Sequence, residues 1–306
     1  MTPQEALALL QEASGRTARF VRKFHHGNEG AYLIEEPGGR QSVLKWAHGD
    51  ESAPRWHRKH QAIQPLLERL SVAGYPVPRQ EPPLLIRNTA LLLQELAPGT
   101  VSDDVSPAFV DTVCDLIELQ ADIAEDLSGS WGGKVVETLT NGGFRHAHEP
   151  LISHSPRTKS ISQRIKKIAS TLDPLIFVDG DVVHGDFDHR NILRDDGTVT
   201  AVVDWDSFTC VGDRYFDLAT FVYSLEFADL DAGTETYALE RLTSAVEPAV
   251  FAAYAAYLSL RFCTWMLVYQ QGRDDYDDWL ERFLSRSERW LDLADDLLVS
   301  PGAGKS

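Results

Sequence analysis

The chain has 306 residues, 43% of them hydrophobic and 25% charged, which is enough apolar content for one large core or two modest ones. Its formal net charge of −17 argues against non-specific binding to nucleic acid or anionic membranes and permits a cationic small-molecule partner. No apolar run is expected to approach the ~20 residues of a membrane span. The opening "MTPQEALALLQEASG" lacks the basic start and apolar block of a signal peptide, so a cytoplasmic protein is expected. Cys114, Cys210 and Cys263 lie in apolar or mixed surroundings and read as reduced core thiols.

Thr2, Pro3 and Glu5 form a capping box that predicts a short opening helix, with Gly15 as its C-cap. "ARFVRKF", "GAYLIEE" and "QSVLKW" read as an antiparallel meander. In the first connection, from His25 to Gly30, Gly27 and Gly30 allow close approach of backbone to phosphates, although a plain hairpin loop reads equally well. Lys45 sits inside the third strand. A helix is predicted from about Ala53 to Leu70, with Pro65 expected to break it. "PPLLIR" and "ALLLQELAPGT" follow as two apolar strands ending in a Pro-Gly connector.

Ser106 and Pro107 open a helix with Phe109, Val113, Leu116, Ile117 and Ile123 on one face. From Ser128 to Lys159 periodicity fades into what reads as a long loop. Its His146, His148 and His154 match no metal spacing and read as exposed. "ISQRIKKIASTLDPLIF" is an amphipathic, basic-faced helix.

The stretch from Val182 to Phe208, "VVHGDFDHRNILRDDGTVTAVVDWDSF", is the most informative. "DDG" between β-branched runs predicts a tight hairpin. An acid at Asp186, an amide at Asn191 and a second acid at Asp204, the strand end, form the set that phosphoryl transfer needs: one to orient a hydroxyl, two to offer hard oxygens to Mg²⁺. Asp and Asn also crowd ordinary turns, through side-chain bonds to their own backbone. Beyond it, "GDRYFDLATFVYSLEF" starts a helix, and the apolar stripe from Pro248 reads as core. Asp274, Asp275, Asp277, Asp278 and Glu281 gather near a helix start, where the dipole favours them. The closing "PGAGKS" lacks the leading glycine of a P-loop and reads as a tail.

"HGDFDHRN" and "VVDWDSFTCVGDRYFDLA" resemble the catalytic and metal segments of the aminoglycoside phosphotransferase and choline kinase superfamily, relatives of protein kinases. The resemblance spans about Phe20 to Leu291, and only the central stretch is specific. It implies an α+β, two-lobed protein-kinase-like fold, with a small antiparallel-sheet N-lobe over 1–98 and a larger, mainly helical C-lobe over 99–306. The implied cofactors are ATP (or GTP) and Mg²⁺. Asp186 becomes the catalytic acid group, Asn191 and Asp204 the metal ligands, Lys45 the holder of the nucleotide phosphates and Gly27 part of the loop covering them. His184 would brace the metal segment, while Arg190 would touch the phosphoryl group or face solvent.

The main chain of Gln94 and Leu96 would read adenine. The family pairs its lysine with a helix glutamate; here Gln61 and Gln64 stand where that acid is expected, leaving Glu68 as the candidate. Gln120 replaces a histidine often found in the family. Asp213 and Asp217 match an element that braces the catalytic loop. Asp274, Asp275, Asp278 and Glu281 are candidates for holding substrate ammonium groups.

The implied activity is an ATP-dependent O-phosphotransferase, monomeric or homodimeric, acting on a small cationic molecule such as an aminoglycoside or basic peptide antibiotic. A metabolic small-alcohol kinase with a choline-like, sugar or amino-alcohol substrate is the alternative, and a nucleotide-binding pseudokinase a further one.

Overall fold

The computed structural model describes residues 1–24, 31–101, 104–127, 129–143, 145–206 and 208–299. Gly27, with its loop, and the "PGAGKS" tail lie outside the described residues. Along the chain run α1 (Pro3–Ser14), β1 (Arg19–Lys23), β2 (Ala31–Glu35), β3 (Gln41–His48), α2 (Ser52–Val72), β4 (Leu84–Ile86) and β5 (Thr89–Glu95). There follow β6 (Asp104–Val105), α3 (Pro107–Glu118), α4 (Trp131–Asn141), α5 (His148–His154), α6 (Pro156–Ala169), β7 (Asp181–Val183), β8 (Ile192–Asp195) and β9 (Thr198–Val202). The chain continues with β10 (Cys210–Gly212), α7 (Tyr215–Ser224), β11 (Asp229–Leu230), α8 (Thr234–Ala245), α9 (Pro248–Tyr269) and α10 (Tyr276–Val299). Two compact units result: Met1–Ser102 with Arg190–Thr209, and Asp103–His189 with Cys210–Ser306.

The first unit is built on a five-stranded antiparallel sheet of order β1-β2-β3-β5-β4. Side chains alternate across it, and the alternation assigns its two faces. Tyr32, Ile34, Leu44, Leu91 and Leu93 point to one face, where Ala6 and Leu10 of α1 cover them. Ala47, Ala90 and Leu92 point to the other, under Ala53 and Trp56 of α2, and Lys45 shares the parity of Ala47. α1 has the expected Thr2–Glu5 capping box and ends at Gly15 with φ 73°.

Contrary to expectation, α2 runs through Pro65 without ending. A proline there forfeits one bond and costs about 3 kcal/mol. Ile63, Leu66, Leu67 and Leu70 are buried on either side of it, and at about 1.5–3 kcal/mol for each such side chain the packing outweighs the loss.

The units do not divide at a single point near Gly99. Thr100 bonds Arg194 in both directions, N to O at 2.9 and 3.0 Å, so the connector is stitched to β8 and brings the β8–β9 hairpin into the first unit. Gly99 is at φ +94°, and a Cβ there would lie 2.7 Å from the Arg194 carbonyl oxygen. The hairpin turns at Asp196 and Gly197, at φ 46° and 78°, as the "DDG" signal predicts.

The second unit is mainly helical and centred on α9. That helix is long and apolar enough to cross a membrane by length and composition, which corrects the expectation that no such run exists, but 83% of the apolar window is buried inside the protein. It packs against α4, α5, α6, α7, α8 and α10. The region expected to be a loop instead holds α4 and α5 and the start of α6. Gly132 and Gly133 hide the α4 signal; a Cβ at Gly132 would collide with the Pro174 carbonyl. Only His154 among the three histidines is exposed. His148 is buried, bridging Ser162 Oγ and the Leu139 carbonyl at 2.9 Å each, and His146 is buried beside the Tyr257 ring.

Candidate active site

In the second unit, β7 delivers the chain to His184, where Gly185 at φ 80° turns it sharply. Asp217, in the first turn of α7, fastens this turn: it accepts from His184 N at 2.6 Å, Gly185 N at 2.8 Å and Gln120 Nε2 at 2.9 Å. Burial raises its pKa, while the His184 charge and these donors pull it down. Gln120 therefore holds the brace from behind. Asp213 accepts from Tyr215 N at 2.9 Å and from the Tyr254 hydroxyl at 2.7 Å; burial pushes its pKa up to about 6. Both acids are structural, as expected from the sequence. His184 Nδ1 in turn accepts from Asp186 N at 3.2 Å.

Asp186 meets a residue that sequence reasoning missed. Arg261 of α9 donates through Nη1 to the Gly185 carbonyl and through Nη2 to Asp186 Oδ1, the latter at 2.7 Å. Arg261 is only 6% exposed. One guanidinium thus fixes the backbone and the carboxylate of the same turn. Its signal was available: Arg261 is the lone charged residue in the whole of α9, and a buried arginine requires a partner.

In the first unit, β8 and β9 pair with Ile192 opposite Val202, so Asn191 and Val203 close the same end of the hairpin, joined by Val203 N to the Asn191 carbonyl at 2.8 Å. Asp204 follows at once, at φ +68°. For a non-glycine residue this left-handed conformation costs about 1–2 kcal/mol and persists where surroundings enforce it. Lys45 Nζ bonds Asp204 Oδ1 at 2.9 Å.

The donor set suits Mg²⁺. Asp204 and the Asn191 amide offer hard oxygens at one hairpin end, and an ammonium already stands against Asp204, showing the place to be receptive to a cation. Among the described residues there is no cluster of three or more His, Cys, Asp or Glu able to cage a metal. That fits an ion which keeps waters and substrate phosphates as most of its ligands.

Residues 21–263 match the model of the phosphotransferase enzyme family, APH. The chain belongs to this family. No curated protein matches this phosphotransferase by sequence. Among solved structures it is similar to a thermostable mutant of aminoglycoside phosphotransferase APH(4)-Ia in ternary complex with ADP and hygromycin B, at TM-score 0.66 and 16% identity over 98% of this chain and 99% of that one. It is also similar to choline kinase LicA from Streptococcus pneumoniae, at TM-score 0.60 and 16% identity over 96% and 97% of the two chains. Amicoumacin kinase hAmiN in complex with AMP-PNP, Ca²⁺ and Ami gives TM-score 0.57 and 15% identity over 99% and 96%. The two-part α+β fold is thus the kinase-like one the sequence implied.

In this phosphotransferase Gln94 is buried within β5, and Leu96 lies just past the strand end. Glu68 is exposed on α2 and makes no ion pair with Lys45 among the described residues, which corrects its candidacy; the partner of Lys45 is Asp204. The residue that α2 presents inward is His60, 1% exposed, which sequence reasoning also missed. Its ring lies 3.8 Å from that of Trp56, and neither ring nitrogen has a hydrogen-bond partner.

The acidic group before and within α10 divides. Asp275 is held by Arg273 at 2.8 Å and by Trp279 Nε1 at 2.8 Å, and Glu281 by Arg157 at 2.6 Å, each arginine lowering the pKa of its partner. Asp274 and Asp278 are exposed and make no ion pair among the described residues. Arg190 faces solvent.

Proposed function

We propose that this member of the phosphotransferase family is an ATP-dependent (or GTP-dependent) small-molecule kinase that phosphorylates a hydroxyl group of a cationic acceptor. The observation that carries the reading is the Asp186 turn, clamped by Asp217 and Arg261, together with the Asn191–Asp204 hairpin end facing the Lys45 ammonium. Asp186 orients the acceptor hydroxyl and takes its proton as the oxygen bonds the γ-phosphorus and the bond to the departing nucleoside diphosphate breaks. Lys45 neutralises phosphate oxygens. Asn191 and Asp204 would hold Mg²⁺, which supplies charge neutralisation across the phosphates when bound.

The net charge of −17 and the unpaired carboxylates of Asp274 and Asp278 support a cationic acceptor. Antibiotic kinases and a choline kinase are similar to the chain at nearly the same identity, so resistance by phosphorylation and metabolism of a small amino alcohol are the two forms of this reading. The test is ADP release by the full chain with Mg·ATP against aminoglycosides, basic peptide antibiotics, choline-like amines and neutral sugars. Turnover confined to cationic hydroxylated compounds is expected; turnover only with neutral sugars would contradict the acceptor assignment.

A further inference from the structure

His60 presents an anomaly. Buried polar groups in proteins are hydrogen-bonded in the great majority of cases, and each exception calls for a reason. Here both nitrogens of a ring that is 1% exposed are bare. Leucine or phenylalanine would pack beside Trp56 without that cost. The position of the ring suggests what it is for. Ala53, Trp56 and His60 recur at helical spacing on the buried side of α2, and Ala53 and Trp56 rest on Ala90, Leu92 and Ala47, the sheet face that Lys45 shares. Burial is the first cause depressing the basicity of His60, and the Lys45 charge is the second, with Asp204 opposing. The ring therefore lies within the field of the Lys45–Asp204 pair and is neutral at physiological pH, offering one lone pair and one N–H.

We propose that His60 is a positioning residue for Lys45: it supplies the neutral hydrogen-bond acceptor that the ammonium adopts when Asp204 turns to the metal. The inference rests on the reading of Lys45 as the nucleotide-binding lysine. Its physical logic is charge economy. In this structure Lys45 is held by Asp204 at 2.9 Å. A divalent ion on Asp204 competes for that carboxylate and repels the ammonium, which must then be held by something else. A second carboxylate would hold it but would neutralise the charge needed at the phosphates. An imidazole lone pair orients the ammonium and leaves its full charge for the nucleotide. The site thus trades a bare histidine in the nucleotide-free protein for a satisfied one in the loaded protein.

The test is calorimetric titration of Mg·AMP-PNP into the full chain and into the variants His60→Leu, His60→Gln, Lys45→Met and the double variant His60→Leu/Lys45→Met, with the melting temperature of each. His60→Leu is expected to weaken Mg·AMP-PNP by about tenfold, the scale of one hydrogen bond to a charged group, without lowering the melting temperature, because a bare polar ring has been removed from the interior. His60→Gln, which keeps an acceptor, should recover most of the affinity. The double variant should bind no more weakly than Lys45→Met alone, since His60 acts only through Lys45.

Wild-type affinity in His60→Leu beside a weakened Lys45→Met would overturn the role of His60, as would additive losses in the double variant. Wild-type affinity in Lys45→Met would sink the underlying reading of the lysine instead. Should His60→Leu not fold, the imidazole ¹⁵N resonances of the wild type decide: the lone-pair nitrogen must shift on addition of Mg·AMP-PNP, and an unchanged resonance contradicts the proposal.

Discussion

The Arg261 guanidinium spans Asp186 Oδ1, at 2.7 Å, and the Gly185 carbonyl, so a helix from the core of the second unit sets the position of the acid group in the Asp186 turn. In a loose phosphoryl-transfer transition state little proton transfer has occurred, so the placement of the acid counts for more than its basicity. An arginine against it costs little there and supplies rigidity. Arg261→Met is expected to reduce turnover by about 10²-fold, the scale of an ångström-level misplacement, while leaving Mg·AMP-PNP affinity unchanged. Arg261→Lys should recover part of the loss. Steady-state rates alongside binding titrations check this, and full turnover in Arg261→Met would remove Arg261 from the account.

Asp204 separates function from stability. At φ +68° it carries backbone strain that glycine does not, a relief of about 1–2 kcal/mol. The partner lost would be the pair with Lys45, in which the Asp204 side chain is 44% exposed and which is therefore worth about 0–1 kcal/mol. Asp204→Gly is expected to melt at or above the wild-type temperature and to lose phosphotransfer. Differential scanning calorimetry and an ADP-release assay read the two together. A clear drop in melting temperature would show that the pair outweighs the strain.

Asp217 should behave in the opposite way. It accepts two backbone N–H groups and the Gln120 amide inside the protein, and each donor left bare costs about 1–3 kcal/mol. Asp217→Ala is expected to lower stability by several such increments and to lose activity with the fold, as seen by denaturant titration. A stable, inactive Asp217→Ala would instead place Asp217 in the chemistry.

How far the sequence revealed this arrangement depends on the kind of signal. The hairpin that places Asn191 beside Asp204 was legible, because Asp196 and Gly197 must adopt positive φ and the β-branched runs flanking them can do little else. The capping box of α1 was equally local. Partners drawn from distant parts of the chain were not legible. Arg261 lies 75 residues from Asp186 and Asp204 lies 159 from Lys45, so no spacing rule connects them. Pro65 misled because its local cost is visible in the sequence while the burial of Leu66, Leu67 and Leu70 is not. Glu68 misled because it has the right charge on the wrong side of α2, whereas His60, on the correct side, has no charge to draw attention.

The pH dependence of stability should carry the signature of Asp213. Burial raises its pKa from 3.8 to about 6, so across that window the folded state holds a proton that the unfolded chain releases. Its contribution is complete below the unfolded value and is lost as pH rises through about 6, on the order of 2–3 kcal/mol. His60, lowered to about 4 from 6.5, works the other way, its contribution being lost as pH falls. Comparing Asp213→Asn with the wild type isolates the first effect. The wild type should gain stability relative to the variant as pH falls from about 7 to about 4. Parallel melting-temperature curves would show that Asp213 titrates normally.

The most direct test of the account is single-turnover phosphotransfer by wild type and Asp186→Asn, using Mg·ATP and whichever acceptor the panel identifies, with the phosphorylated product detected by mass spectrometry. The wild type should form the product; Asp186→Asn should fold, bind Mg·AMP-PNP as the wild type does, and form it about 10²–10⁴-fold more slowly, the range for loss of a positioned general base. Near-wild-type product formation by Asp186→Asn would contradict the assignment of the reaction to this site.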